Sequence, residues 1–542
     1  MYDILIKNCR IIDGSGAPWY RADVAVKGGK IVKIGHLCGQ PGHEAENTVD
    51  GQDRYLAPGF IDIHSHSDTT LMKYPKAESR ILQGVTTEIG GNCGMSASPV
   101  SDDPERKEEL RAYIGDLSYE WNGIGEFLDK IGSCHTSVNF GTAVGHGTIR
   151  IAAMGFADRK PEAKEMHLMK SILRQSLQEG AFAMTTGLIY PPGCYADTQE
   201  LIELSKELPK YGAFYMTHMR NEGAGVIDSV KEAIEICRRS GAPLEISHHK
   251  VTNKDGWKRS CKVTTSLIEE ARREGLDVTA DQYPYCASST TMDSNIPQWA
   301  FEGGMDALFD RLRDPETRAK LREESNASHV GRWGDIYVGY VLSEENSWTV
   351  GKSIEEIARI RGVDPADACF DLVLDEKGRV DEINFGMCEE DVEYIMQKPY
   401  IMTGSDGKSV SYDYPGRPHP RFFGTFPRVI SHYCRDRKLF PLETAICKMT
   451  SMPAAKLGIQ DRGLIKEGMW ADLVMFDFDK IKDTPDFNNP KQPCEGICQV
   501  YVNAVSYTHL DVYKRQVCTG HGSGLSASQS CIHPEETGYL PG

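Results

Sequence analysis

The sequence lacks any apolar run long enough to cross a membrane, and its first residues lack the apolar core of a secretory signal. Residues 1–7 read MYDILIK, a short strand pattern flanked by polar side chains. A transmembrane helix needs about 20 consecutive apolar residues, and a signal peptide needs an apolar stretch after basic residues. We therefore expect no membrane partner and a cytoplasmic location.

Paired cysteines and an excess of positive charge are also missing. The 16 cysteines include no CxxC pair, so we expect no disulfide framework and treat most of them as small buried hydrophobic residues. The 61 Lys and Arg residues are outnumbered by 78 Asp and Glu, giving a formal charge of −17. This surplus of acid disfavours nucleic acid as a partner, although one local arginine can still bind a small anion.

The chain has room for a large core, and its pattern changes twice. Residues 1–56 contain short strand-like runs separated by turns, and residues 57–450 alternate strands with helices. The predicted strands of this middle part cover residues 60–64, 85–89, 137–144, 181–186, 213–217, 243–247, 277–283 and 400–404. Amphipathic helices are predicted between most of them, at 162–178, 197–208, 225–240 and 263–274. Eight strands separated by helices predict an α/β fold, a (β/α)8 TIM-like barrel.

The gap between the seventh and eighth predicted strands is unusually long. Residues 284–399 contain helical pieces at 305–312, 354–361, 365–374 and 390–397 around a polar middle. Long structureless loops are uncommon inside compact domains. We therefore predict a lid-like insertion over the top of the barrel.

The end of the chain returns to a turn-rich β pattern over residues 451–504. We expect this segment to join residues 1–56 in one small β-sandwich, so that both chain ends meet beside the barrel. Residues 505–516 then read VSYTHLDVYKRQ and are followed by a Gly/Ser-rich stretch. This string resembles translated adapter sequence, and we treat residues 505–542 as a non-native or disordered tail.

The most informative short motif is His64-Ser65-His66 at the end of the first predicted barrel strand. Alternation along a strand sends both imidazoles to the same face, where they can bind one metal ion. The alternative is a pair of ordinary histidines beside a turn, and the motif alone does not decide between the two.

Other strand ends carry side chains of the same chemistry. In barrels of this kind the site forms at the carboxyl ends of the strands. The candidates at these ends are Cys93, His218, His248 and Asp406. A single histidine at such a position is more often structural, but histidine, cysteine and aspartate together suit Zn²⁺. For Cys93 the structural alternative is a buried small hydrophobic residue.

These stretches resemble the N-acyl-D-amino-acid deacylases (D-aminoacylases) of the amidohydrolase superfamily. The matching segments are 58–66 (PGFIDIHSH), 91–94 (GNCG), 144–147 (VGHG), 217–223 (THMRNEG), 246–250 (ISHHK), 404–407 (GSDG), 418–421 (PHPR), 424–428 (GTFPR), 462–468 (RGLIKEG) and 471–473 (ADL). The resemblance extends from residue 2 to about residue 503. It implies zinc-dependent hydrolysis of N-acyl-D-amino acids, with a small-molecule substrate and no nucleic-acid partner.

The resemblance also implies roles for individual residues. It implies a tightly bound zinc held by Cys93, His218 and His248, and a weaker second metal site at His64 and His66 that shares Cys93. His249, next to His248, is expected to point to the other side of the strand.

On the substrate side, Asp406 matches the catalytic acid/base and Arg421 matches the residue that holds the substrate's α-carboxylate. Lys250 and Tyr283 match residues near the substrate. The stretch between Asp406 and Pro418 is longer than is usual in the family, which leaves Arg417 as a competitor for Arg421.

Two other functions stay open at this point. A cyclic-amide hydrolase related to dihydroorotase or hydantoinase would be supported by a carboxylated lysine at a middle strand end, but residues 184–187 read MTTG. A non-catalytic interaction protein on the same scaffold would be marked by lost metal ligands, and all of them are present. The sequence does not predict the acyl group, the preferred side chain or the oligomeric state.

Overall fold

The computed structural model describes residues 1–115 and 117–508. Among these residues, no helix combines the length and the apolarity needed to cross a membrane. All 14 cysteines in this part of the chain are free thiols.

The described chain is a mixed α/β structure. Its strands are β1 Tyr2–Ile11, β2 Tyr20–Lys27, β3 Lys30–Gly35, β4 Ala45–Asp50, β5 Tyr55–Pro58, β6 Phe60–Asp62, β7 Val85–Gly90, β8 Asn139–Thr142, β9 Val144–Gly145, β10 Ala183–Gly187, β11 Phe214–His218, β12 Leu244–Ile246, β13 Val278–Gln282, β14 Ser288–Thr291, β15 Ile336–Tyr340, β16 Asp381–Asn384, β17 Ile401–Thr403, β18 Leu473–Phe476, β19 Ile497–Val502 and β20 Val505–Thr508.

The α-helices lie mostly between the strands of the middle part. They are α1 Glu78–Ile81, α2 Pro104–Ile114, α3 Ile124–Ser133, α4 His146–Met154, α5 Ala163–Gln178, α6 Thr198–Ser205, α7 Val226–Ser240, α8 Ser260–Arg273, α9 Gly304–Arg313, α10 Pro315–Ser328, α11 Ile354–Arg361, α12 Pro365–Asp375, α13 Glu389–Met396, α14 Arg421–Arg428, α15 Leu442–Met449 and α16 Ser451–Leu457. A π-helix, Val429–Asp436, continues from α14.

The predicted barrel strands all exist and all run parallel to their neighbours. One sheet has the order β6-β7-β8, and a second has the order β17-β13-β12-β11-β10-β9. The predicted strand 137–144 is interrupted at Ala143, whose N–H donates to the carbonyl of Gly90. A parallel bridge joins Ser65 to Gly407, so the chain after β17 pairs with the chain after β6.

One apolar cluster contains side chains from both parallel sheets. Ile61, Phe182, Phe214 and Met402 are buried in it. Ala454 and Leu457 of α16 belong to the same cluster. This helix lies beyond the predicted boundary at residue 450, yet it packs against the strands.

Strands from both chain ends belong to one sheet, whereas the predicted β-sandwich stays a prediction. Its order is β20-β19-β18-β5-β1-β2-β3, with β4 paired to β1. Strand β5 pairs antiparallel with β18, with Pro58 opposite Leu473. Strands β4 and β5 were not predicted, because their residues alternate weakly in hydrophobicity. The tail also begins differently from expectation: β20 forms a hairpin with β19, and the rest of the segment 505–542 lies outside the described residues.

The segment between β13 and β17 is folded and has its own core. The four predicted helical pieces appear as α9, α11, α12 and α13. The polar middle contains α10, and an antiparallel sheet of order β14-β16-β15 was not predicted. Met292, Leu308, Trp333, Ile357 and Phe370 are buried in a separate apolar cluster, so the insertion is not a structureless loop.

A buried ion pair connects the end sheet with the first parallel sheet. Asp472 accepts hydrogen bonds from Arg462 Nη1, Asn139 Nδ2 and Asn503 N–H. Asn139 belongs to β8, whereas Asn503 follows β19. Asp472 and Arg462 are only 5% and 7% exposed, so removing either partner leaves a buried charge without its counterpart.

We predict that Asp472→Ala lowers the free energy of unfolding by about 3–5 kcal/mol, the usual cost of breaking a buried pair from one side. Differential scanning calorimetry measures this as a lower Tm. The matched control is Asp461→Ala, because Asp461 lies 3.9 Å from the same arginine but is 40% exposed at its side chain. That variant is expected to lose no more than about 1 kcal/mol, and an equal loss in both would contradict the assignment.

Candidate metal centre and active site

The carboxyl ends of the parallel strands surround one cavity of about 420 Å³. His66, Cys93, His218, His248 and Asp406 all line it. His218 is the last residue of β11, and the other four follow β6, β7, β12 and β17 in the chain. In parallel sheets these ends lie on one side, which explains how residues far apart in sequence come together.

Cys93, His218 and His248 form the first group of potential ligands, with one ligand atom from each lying within 4.8 Å of the others. The Sγ atom of Cys93 is 3.4 Å from His248 Nε2. Within the described residues neither ring nitrogen of His218 has a hydrogen-bond partner, although the residue is only 5% exposed and Nε2 lies 3.5 Å from Glu222 Oε2. A buried imidazole without a partner is costly. The orphaned nitrogens beside a thiol therefore fit a metal ion such as Zn²⁺, which favours sulfur and nitrogen ligands.

His64, His66 and Asp406 form a second group, and Cys93 belongs to it as well. Asp406 Oδ1 lies 3.0 Å from His66 Nε2 and 3.4 Å from His64 Nε2. Cys93 Sγ lies 3.4 Å from His64 Nε2. The sequence predicted the two histidines and the shared cysteine here, and the structure adds the carboxylate of Asp406 to the same group.

Unusual backbone conformations place three of these side chains. Cys93, His248 and Asp406 have φ values of +53°, +34° and +50°, a region that non-glycine residues rarely occupy. The turn around Cys93 also requires glycine: a Cβ atom at Gly94 would lie 2.3 Å from the backbone nitrogen of Gly187. Such strained positions concentrate at functional sites, and here they aim the thiol and the carboxylate into the cavity.

The local charges favour a thiolate on Cys93. Burial would raise the pKa of its thiol, but His248 and His64 outweigh burial and hold the pKa well below its ordinary value. Burial and the neighbouring Lys250 would lower the pKa of His248, whereas Glu222 and Cys93 raise it to about 9. The thiolate is the form of cysteine that binds metal.

Two acids that received no role from the sequence hold the histidines. Asp281, in β13, lies 3.1 Å from His64 Nδ1 and accepts the N–H of His248 at 2.9 Å. Glu222 lies 3.0 Å from His248 Nδ1 and 3.5 Å from His218 Nε2. Carboxylates of this kind orient histidine ligands through the nitrogen that faces away from the metal. The sequence offers two signals for these roles. Asp281 is an acid near the end of a predicted strand, and Glu222 lies four residues after the candidate ligand His218.

Of the residues expected near the substrate, Lys250 and Arg421 line the cavity, and both contact the ring of Tyr283. Arg421 Nη1 is 2.9 Å from Asp406 Oδ2, and its guanidinium lies 4.8 Å from the centre of the Tyr283 ring. The Tyr283 hydroxyl is buried and has no hydrogen-bond partner in the part of the chain that the structure describes. Lys250 Nζ donates to Glu222 Oε1 at 2.6 Å and lies 5.7 Å from the same ring.

The two competing residues lie elsewhere. Arg417 Nη2 donates to Asn488 Oδ1 at 2.7 Å, and the residue does not line the cavity. His249 points to the opposite side of the strand end, where its Nε2 lies 2.9 Å from Thr264 Oγ1 on α8. Tyr190, which the sequence did not single out, lines the cavity with its ring 5.2 Å from that of His218.

Comparison with known proteins gives consistent results. The profile of the amidohydrolase family matches residues 47–503. D-aminoacylase from Alcaligenes xylosoxydans xylosoxydans is 35% identical over 524 residues, which is 96% of this chain and 97% of that protein.

Two solved structures are similar over nearly the whole chain. N-acyl-D-glutamate deacylase from Bordetella bronchiseptica, in complex with zinc and a phosphonate that mimics the tetrahedral intermediate, has a TM-score of 0.80 and 32% identity. A structure of D-aminoacylase described for its binuclear metal centre, with activation by one metal and attenuation by the second, has a TM-score of 0.77 and 34% identity. In both cases 93% of this chain and 96% of the other chain are covered.

The opposite orientations of two neighbouring histidines give a sharp prediction about metal content. We expect His248→Ala to lose most bound zinc, because one of the three atoms of the first group is removed. His249→Ala is the matched control and should retain zinc, since its ring contacts Thr264 instead. Inductively coupled plasma mass spectrometry of the purified variants measures the stoichiometry, and full zinc occupancy in His248→Ala would refute the ligand assignment.

Proposed function

The chain belongs to the amidohydrolase family, and we propose that it hydrolyses the amide bond of N-acyl-D-amino acids, releasing a carboxylate and a D-amino acid. The observation that carries this proposal is the geometry of one cavity. Its metal-ligating group Cys93, His218 and His248 lies next to an acid, Asp406, which is paired with an arginine. An amide hydrolase for acyl amino acids needs these three parts, namely an electrophile, a proton carrier and a carboxylate anchor.

We assign the zinc position that matters for hydrolysis to Cys93, His218 and His248. His64 and His66, with Cys93 shared, are assigned a second and weaker position. A Zn²⁺ ion held there would make a water molecule more acidic and would polarise the carbonyl of the scissile amide. The orphaned nitrogens of His218 and the thiolate character of Cys93 support this assignment.

Asp406 is proposed to carry the proton. Its carboxylate takes a proton from the attacking water and delivers it to the nitrogen of the leaving amine, so that the C–N bond breaks without forming an amide anion. The contacts of Oδ1 with His66 and of Oδ2 with Arg421 fix the plane of the carboxylate. Arg421 also holds the pKa of Asp406 well below its usual range, although burial alone would raise it.

Arg421 is proposed to bind the substrate's α-carboxylate, with Tyr283 and Lys250 beside it. The guanidinium is a planar fork suited to a carboxylate. Its Nε atom has no hydrogen-bond partner within the described residues, whereas Nη1 is ion-paired with Asp406. Tyr283 contributes a hydroxyl that has no partner among the same residues. The carboxylate of a bound substrate would thus contact the same arginine as Asp406. This contact would place the scissile amide close to the acid that carries the proton.

We further propose that β6, β7, β8 with β9, β10, β11, β12, β13 and β17 close into one (β/α)8 barrel over residues 57–450, with the lid-like insertion 284–399. The Ser65–Gly407 bridge and the single residue between β8 and β9 support this closure. The segments 1–56 and 451–504 are proposed to form the β-sandwich. The cytoplasmic location and the state of the tail stay predictions.

The preference for D-amino acids rests on the relatives, because no residue on its own shows handedness. A cyclic-amide hydrolase lacks support, since β10 reads AMTTG and offers no lysine at its carboxyl end. The interaction-protein alternative lacks support because every potential ligand is present.

A substrate panel tests the proposal on the zinc-loaded protein. We expect hydrolysis of N-acetyl-D-amino acids, with no measurable turnover of the L forms or of hydantoins and dihydropyrimidines, when free amine release is followed by a ninhydrin or chromatographic assay. Preference for a cyclic amide or for the L series would overturn the proposal.

A pair of arginine variants tests the carboxylate anchor. We predict that Arg421→Ala lowers kcat/KM for N-acyl-D-amino acids by about 10- to 100-fold, the usual range for losing a charged hydrogen bond. Arg417→Ala is the matched control and should stay close to the wild type, because its side chain contacts Asn488 outside the cavity. The reverse pattern in steady-state kinetics would move the anchor to Arg417.

A further inference from the structure

Three buried charged residues lie behind the active site and have no part in the proposed chemistry. Asp62 ends β6, Glu88 lies in β7 and Arg80 lies in α1 between them. All three are fully buried. Arg80 Nη1 is 3.7 Å from Asp62 Oδ2, and Arg80 Nε is 3.4 Å from Glu88 Oε2. Buried ion groups contribute little to stability by themselves, so the other contacts of the two acids show what the group does.

Asp62 holds the residue that precedes Asp406. Its Oδ1 accepts the N–H of Ser405 at 2.9 Å, and its Oδ2 accepts the Ser405 hydroxyl at 2.5 Å. The same carboxylate accepts the N–H of His64 at 3.3 Å. One acid therefore fixes the backbone on both sides of the second ligand group.

Glu88 holds the residues on the other side. Its Oε2 accepts the Ser67 hydroxyl and its Oε1 accepts the Ser409 hydroxyl, both at 2.6 Å. Ser67 in turn accepts the N–H of Ser409 at 2.7 Å. Because Ser67 follows His66 and Ser409 lies three residues after Asp406, Glu88 joins the two segments that carry these side chains.

Asp406 needs such support, because its backbone is in the left-handed region with φ +50°. A non-glycine residue adopts this conformation only when its surroundings impose it. Two backbone contacts help, from Asp406 N–H to His64 O at 2.8 Å and from His66 N–H to Gly407 O at 2.7 Å. Ser405 and Ser409 are fully buried on either side of it.

We propose that Asp62, Arg80 and Glu88, here named the acid clamp, position Asp406 and His66 through the hydroxyls of Ser67, Ser405 and Ser409. The three charged residues are positioning residues: they lie behind the cavity and act through the serines. The inference rests on the proposed function in one respect, namely that the position of Asp406 limits turnover.

The double variant S67A/S409A tests the acid clamp, because it removes the two hydroxyls that reach Glu88 and leaves all three buried charges in place. We expect kcat for an N-acyl-D-amino acid to fall about 10-fold or more, since small misplacements of a catalytic group are costly. KM should stay within about twofold, because Arg421, Tyr283 and Lys250 lie on other segments. The matched control S325A removes a fully buried hydroxyl that donates to Asn295 O in the insertion, and it should leave both constants unchanged.

A crystal structure of S67A/S409A provides a readout that does not depend on the substrate. The carboxylate of Asp406 is expected to move by about 0.5 Å or more, the tolerance of a productive site. An unmoved carboxylate with wild-type kcat overturns the acid clamp. If the wild type itself fails on the substrate panel, the proposed function is wrong. The position of the Asp406 carboxylate in the crystal structure of the variant still shows whether the acid clamp positions Asp406. If the double variant does not fold, the single variant S409A decides by the same measurements.

Discussion

The sulfur of Cys93 lies 3.4 Å from the Nε2 atoms of both His64 and His248, and this double contact constrains the rest of the site. The sulfur has to face two imidazoles that follow different strands. The turn from the end of β7 to Cys93 therefore cannot vary in length. Gly91 and Gly94, on either side of Cys93, make the turn possible. A Cβ at Gly91 would lie 2.1 Å from the carbonyl oxygen of Ala143. The second ligand group and Asp406 are then placed around an already fixed point.

Much of this arrangement could be predicted from sequence because it follows from local pattern. Strand alternation predicted that His64 and His66 share a face and that His249 points away from His248. In the structure β6 ends at Asp62 and β12 ends at Ile246, so the turns after these strands orient the four rings. The rule that parallel strands present their carboxyl ends on one side then grouped Cys93, His218 and Asp406, which are far apart in the chain. The family resemblance supplied the roles of Asp406 and Arg421, which no local pattern contains.

The residues that could not be predicted act through long-range contacts. Asp281 and Glu222 gain their meaning only when their carboxylates are seen beside His64 and His248. The acid clamp is invisible in the same way, since Asp62 lies 343 residues from Ser405. The strands of the insertion were missed because they are short and polar, as in β14 with the sequence SSTT, and pairing rather than propensity makes them strands.

The pairing of β5 with β18 has a consequence for how the chain is made. Strand β5, which comes directly before β6 and His64, pairs on one side with Leu473–Phe476. Gly59 N–H, between β5 and β6, donates to Asp472 O at 2.8 Å. During translation, β5 therefore waits for more than 400 residues before this neighbour emerges from the ribosome. Such non-local pairing slows folding. The parallel strands β6 to β17 all leave the ribosome before β18, so the pairing at the entry to β6 forms after these strands have been made.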